Sequence, residues 1–277
     1  MKSEAVLDWE MHEDKQCINC KEVHHFDFCP NCGQPYEKKK ISFGVLYEDF
    51  KDRVIGLDGK FLRTIVASLK DAGQLSMTYI NGNRRRYVGP VGFFFICLTI
   101  YFVIMTTTGN SFDQLLGNEE LMNELEGDTD PTQKEIFKLV GSLMNEYFKI
   151  ISLFSVLITG FFLWLFNLKK GLNYLEFLVF SFYYNGFVFL MSLYQFFIPS
   201  TGGLIIGSSI ASILSIVYFI WAYITFDKGK SVFVRIVKAI MIQIAAGLFI
   251  GLIAAISVAV YLINNKELLE QVKNVQG

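Results

Sequence analysis

The sequence predicts an all-α polytopic membrane protein, with five transmembrane helices behind a small N-terminal zinc-ribbon head of the β-knuckle type and amphipathic juxtamembrane helices. Three observations carry that expectation. The composition is 52% hydrophobic and 16% aromatic against 18% charged, which is not a soluble balance. Charge is also uneven, because residues 1–86 hold 14 Lys and Arg and 13 Asp and Glu, and long apolar runs follow. The third observation is "CINCKEVHHFDFCPNCG", Cys17 to Gly33, in which two C-x-x-C pairs stand eight residues apart.

The head, residues 1–40, comes first. No basic stretch followed by an apolar one opens the chain, so the head is expected to stay on the cytosolic side. Thiols there are kept reduced, which disfavours disulfides. Cys17, Cys20, Cys29 and Cys32 instead form C-x2-C-x8-C-x2-C, and each pair can set two thiolates on one tight turn to complete a tetrahedron around a structural Zn²⁺. Pro30 fixes a turn dihedral, and Gly33 lets the backbone reverse past the sulfur. A redox pair would need a strand and helix around it that this stretch lacks. Iron takes the same four thiolates, so the choice between zinc and iron stays open. His24 and His25 are expected on the loop surface. A site with no open position implies folding and not catalysis. Cys97, the fifth cysteine, is expected to be a packing residue of the first span.

Residues 41–86 read as two amphipathic helices. Phe43, Leu46, Phe50 and Val54 recur at helical spacing, and a second stripe of Phe61, Leu62, Ile65, Val66 and Leu69 follows, with Asp58 as its expected cap and Gly73 as its expected stop. Such stripes pack on each other, on the bundle, or on lipid. "YINGNRRRYVGP", Tyr79 to Pro90, then leads into the first span. Tyr79, Arg84, Arg85, Arg86 and Tyr87 are fit to hold anionic lipid head groups or a partner, although topology alone also calls for arginines at that place.

The membrane domain, residues 87–264, has candidate spans at Val88–Met105, Tyr147–Phe166, Tyr174–Ile198, Leu204–Phe226 and Ile236–Ile263. Lys169, Lys170, Lys228, Lys230 and Arg235 fall in the loops on the head's side, whereas the loop 106–146 holds nine acids against Lys134 and Lys138. That asymmetry predicts a cytoplasmic N-terminus and an outside C-terminal tail, residues 265–277. Asp128 and Asp130 lack the spacing of a calcium loop, so the outer loop reads as solvated, with Asp130-Pro131 opening a helix.

At the residues just quoted, the chain resembles a bacterial family of zinc-ribbon integral membrane proteins that is a domain of unknown function. The shared features are the ribbon ending in C-P-N-C-G-Q, "DGKFLRTIVASLKDAGQL" and "YINGNRRRYVGP"; they cover roughly Cys17 to Phe95. Ala72-Gly73 stands where Pro-Gly is expected. The resemblance implies zinc binding by the four cysteines and a bacterial inner membrane, and it implies no reaction.

Chemistry inside the membrane has little to work with. His12, His24 and His25 all precede the spans, and no H-E-x-x-H, P-loop or G-x-S-x-G motif occurs. Glu176 opens the third span and is expected to pair with a nearby Lys or Arg. Tyr183, Tyr184 and Asn185 form a polar patch suited to interhelical hydrogen bonds, and Gly247, Gly251, Ala255 and Ala259 form a small-residue face suited to packing within the chain or to a homo-oligomer. The head is nearly neutral, which argues against nucleic acid. The expected function is therefore a non-enzymatic membrane scaffold or adaptor that docks a cytosolic protein partner on the ribbon. The alternative is a lipid-handling or small-solute transport protein that uses the arginine collar and the polar patch.

Overall fold

The computed structural model describes residues 15–34, 42–44, 59–109, 150–197, 201–229 and 231–264. Most of the expected first amphipathic helix, the expected cap Asp58, most of the acidic loop and the C-terminal tail lie outside the described residues. In the head, β1 (Lys15–Gln16) and β2 (Val23–His24) pair antiparallel, with Lys15 opposite His24. The helices that follow among the described residues include α1 (Lys60–Ile80), α2 (Pro90–Thr107), α3 (Ile150–Leu165), α4 (Tyr174–Met191), α5 (Thr201–Phe226) and α6 (Val232–Asn264). A 3-10 segment, Ser192–Phe197, prolongs α4.

Among the described residues, four helical stretches are long and apolar enough to cross a membrane: Pro90–Thr107, Tyr174–Phe197, Gly207–Phe226 and Val232–Ser257. The expected count of five is met only to that extent. At 1.5 Å per residue, the described part of α3 covers about 24 Å, less than a hydrocarbon core of about 30 Å.

α4 is the centre of the bundle, and its neighbours show their directions through matched contacts. Phe94 meets Phe182 and Tyr101 meets Phe196, so α2 runs parallel to α4. The Ser181 hydroxyl donates to Val156 O, and Trp164 packs edge-on against Tyr174, so α3 runs antiparallel. Phe177 meets Phe226 and Phe180 meets Phe219, so α5 does too. In lipid there is little hydrophobic drive between helices, and association rests on close packing and on aromatic pairs of about 1 kcal/mol each. Gly186 is where α2 comes closest, because a Cβ there would lie 3.1 Å from the Phe94 Cα.

Large apolar side chains cover the outside of the bundle as well as its core. Ile213, Val217, Leu248 and Leu252 are exposed on α5 and α6, while the buried Tyr183, Tyr184, Tyr218 and Tyr223 have their hydroxyls bonded. A soluble bundle would not leave so many large apolar side chains on its surface.

α1 departs from the sequence expectation in three ways. Its N-cap is Gly59, with no side-chain cap bond. It does not stop at Gly73 but breaks at Asp71, whose backbone is extended and whose carboxylate accepts from Gln74 N–H at 2.9 Å to start the second half. The buried face is Thr64, Ser68, Ala72, Leu75, Ser76 and Tyr79, whereas Leu62, Val66 and Leu69 of the expected stripe are exposed. The reason is closeness. Hydroxyl-bearing and small residues let α1 lie against α5, where Tyr218 donates to Ser68 O and Gly73 N–H donates to Thr225 Oγ1 at 3.0 Å.

Candidate metal centre and arginine collar

Each C-x-x-C pair forms the same turn. Lys21 N–H donates to Cys17 O, and Cys17 N–H donates to Glu22 O; Gly33 N–H donates to Cys29 O, and Cys29 N–H donates to Gln34 O. The residue after each second cysteine takes a left-handed backbone, with φ of 65° at Lys21 and 66° at Gly33. Glycine meets that demand without strain, and lysine does not. Lys21→Gly is therefore expected to stabilise the first turn by about 1 kcal/mol, read as a slower loss of bound metal to a competing chelator.

The two turns bring four sulfurs together. Cys17 and Cys32 Sγ are 3.5 Å apart, Cys20 and Cys29 Sγ are 3.4 Å apart, and all four lie within 4.8 Å of one another. A tetrahedron with metal–sulfur bonds of about 2.3 Å has edges of about 3.8 Å, so the cluster can close on a metal ion with small adjustments. Four thiols this close cannot all ionise without a cation. Burial pushes Cys32 up, but the Asn19 side chain, the Gln34 backbone and the Cys17 and Cys20 thiols together bring it down to about 7. Cys20 goes the other way, to about 12, because burial and the shared thiol bonds outweigh the backbone bond at Glu22. His24, expected at the surface, is buried between the strands and the turns, while His25 is exposed.

The second turn is fastened to the segment before α2. Gln34 is buried; its Nε2 donates to Gly82 O at 2.5 Å, and its Oε1 accepts from Arg85 N–H at 3.4 Å. The Arg85 guanidinium lies over Gly33, where a Cβ would stand 3.2 Å from its central carbon. Four thiolates on a divalent ion carry a net charge of −2, so a guanidinium beside Cys32 and Gly33 is favourably placed. Gln34→Ala would leave the Gly82 carbonyl without this donor, at a cost of about 2 kcal/mol. It is expected to release the head from the collar, with faster amide exchange at 81–86 and unchanged metal content.

The other collar residues divide between inside and outside. Tyr79 is fully buried and packs edge-on to Tyr183 at 6.3 Å, with Arg84 over its other side at 5.7 Å. Arg85 and Arg86 are exposed, and Arg86 stacks on the half-buried Tyr87 at 5.5 Å. In the bundle, Tyr183 donates to Val88 O at 2.6 Å and Tyr184 donates to Ser215 O while accepting from Gln243. Asn185 donates to Ser181 on its own helix. Among the described residues Glu176 does not form the expected ion pair. It closes a capping box at the start of α4, accepting from Asn173 N–H at 2.8 Å while Asn173 Oδ1 accepts from Glu176 N–H.

A charged network that sequence reasoning missed joins the α3–α4 and α5–α6 connections. Lys170 pairs with the buried Asp227 at 2.8 Å; Tyr223 donates to Asn167 Oδ1 and Asp227, and Lys238 donates to Asn167 Oδ1. Arg235 donates to Ile224 O and Asp227 O, which neutralises the C-terminal end of α5. The signal was the lone acid, Asp227, between basic loops. Burial raises the Asp227 pKa, but Lys170, the Gly229 N–H and Lys238 outweigh it and hold the carboxyl below its usual range. A lowered carboxylate pKa adds stability that is present above the unfolded value, near 4, and is lost as pH falls through the folded value. Asp227→Asn is expected to cost about 3 kcal/mol near neutral pH, because the buried ion pair with Lys170 is lost. The difference in thermal midpoint from wild type should shrink below about pH 4.

Comparison with curated proteins finds no match, and comparison with solved structures finds none. One family does match: the model of a protein of unknown function, DUF3667, aligns with residues 58–102, which are α1, the collar and most of α2.

Proposed function

We propose that the protein is a non-enzymatic integral membrane scaffold or adaptor, with a structural zinc ribbon as its docking module on the cytoplasmic side of a bacterial inner membrane. The observation that carries this reading is the Gln34 clasp, which fixes the head to the collar at Gly82 and Arg85. A head held in one orientation is suited to presenting a surface, and a closed four-thiolate set favours zinc in a folding role. Lys170, Lys228, Arg235 and Lys238 gather at one end of the bundle with Gln74 of α1, in support of a cytoplasmic head. The lipid-handling or solute-transport alternative has less support, because Tyr183, Tyr184 and Asn185 direct their polar groups to neighbouring backbone and side chains.

Crosslinking and pull-down from native membranes tests the proposal, with wild type compared with Cys29→Ser,Cys32→Ser and Gln34→Ala. A partner captured by wild type and lost in both variants supports a docking head. Identical recoveries from all three would reduce the ribbon to a folding device.

A further inference from the structure

The head is small, yet it exposes four large apolar side chains, Ile18, Val23, Phe26 and Phe28, with Phe26 66% and Phe28 61% exposed. Cys29 N–H donates to Gln34 O, and the Gln34 side chain donates to Gly82 O. The backbone next to Phe28 is thus joined to the collar through Gln34 by two hydrogen bonds. The exposed Arg85 and Arg86 stand in that collar, five and four residues before α2 begins at Pro90. Phe28 is therefore tied through the Gln34 clasp to the segment before a membrane-capable helix, in which the exposed Arg85 lies over Gly33 and the exposed Arg86 stacks on Tyr87.

From this arrangement we infer that the Phe26-Asp27-Phe28 tip and the Arg85-Arg86 pair form one seat on an anionic phospholipid bilayer, with the phenylalanines in the head-group layer and the guanidiniums on phosphates. Aromatic rings favour that layer, and arginine binds phosphate in a planar fork. A basic residue near an anionic membrane surface contributes about fivefold in affinity. The collar sets the distance: a surface tethered so close to a span meets lipid at all times, whereas a soluble partner must displace it. The clip then has a second consequence, since metal fixes the turn that aims Phe28. This inference does not depend on the head docking a protein, which other faces of the ribbon remain able to do.

The test places a photoreactive benzoylphenylalanine at Phe28, and separately at Phe26, in the full-length protein reconstituted into nanodiscs. The nanodiscs contain phosphatidylglycerol with phosphatidylcholine, or phosphatidylcholine alone, and metal content is measured in every sample. Lipid adducts at both positions are expected, falling several-fold without phosphatidylglycerol and in an Arg85→Ala,Arg86→Ala background. The same positions are also irradiated in native membranes. Lipid adducts there support the seat, while adducts to a second protein, or no adduct in metal-loaded nanodiscs, overturn it.

Discussion

Removing the metal from the full-length protein, by chelation or by Cys29→Ser,Cys32→Ser, is expected to unfold the head and leave the bundle helical. The described head has a two-residue ladder and two turns, with little apolar surface buried beyond the cysteines and His24. A segment of that size does not fold on its own core. A structural metal contributes about 10–16 kcal/mol of apparent binding free energy in small zinc domains, so if the cluster holds one its loss would exceed any other single change here. Gln34 should lose its hold on Gly82 when the second turn opens. Cleavage by trypsin after Arg84, Arg85 or Arg86 is then expected to rise by more than tenfold, with far-ultraviolet circular dichroism in detergent nearly unchanged. Equal cleavage rates with and without metal would show that the clasp does not need the clip. Acid should mimic chelation, because protons compete with the metal for thiolate sulfur.

Gly73→Ala is expected to be the most damaging single-methyl change among the glycines of the bundle. A Cβ at Gly73 would stand 2.1 Å from the Phe226 backbone nitrogen and 2.4 Å from the Thr225 carbonyl carbon. Backbone cannot rotate aside as a side chain does, so α1 must move off α5 and lose the bond from Gly73 N–H to Thr225. Overpacking of this kind costs about 3 kcal/mol. Gly160→Ala meets the tip of the Leu178 side chain at 2.5 Å, which can turn away, and should cost less. Gly247→Ala and Gly251→Ala meet nothing within 4 Å and should leave the thermal midpoint of the monomer unchanged. A midpoint for Gly73→Ala within error of wild type would place the α1–α5 contact elsewhere.

The glycines illustrate where sequence reading succeeded and where it failed. Gly33 was legible because a turn after a metal-ligand pair has a local requirement, a left-handed backbone, that the motif itself announces. Gly73 was misread as a helix stop because its requirement comes from Thr225 and Phe226, about 150 residues away. The stripe of Phe61, Leu62, Ile65, Val66 and Leu69 held in part, since Phe61 and Ile65 pack against the core, but Leu62, Val66 and Leu69 misled for a related reason. In water an apolar stripe marks the buried face, but against a membrane-facing bundle the close contacts go to Thr64, Ser68 and Ser76, and the leucines and valine face outward. Glu176 and Asp227 show the same division, since a capping box three residues long was within reach of the sequence and an ion pair across two loops was not.

By itself, the sequence determined what depends on neighbours along the chain: the four cysteines that two short turns bring together, the long apolar helices, and the basic segment before α2. The tertiary structure alone decided that the ribbon is clasped to that segment through Gln34, that α4 is the centre of the bundle, and that Lys170, Asp227 and Lys238 share one network. Hydropathy and motif spacing record the solvent each residue must meet and the turns it can make. They do not record which distant backbone carbonyl or carboxylate will be brought within 3 Å, because that is set by how the helices pack.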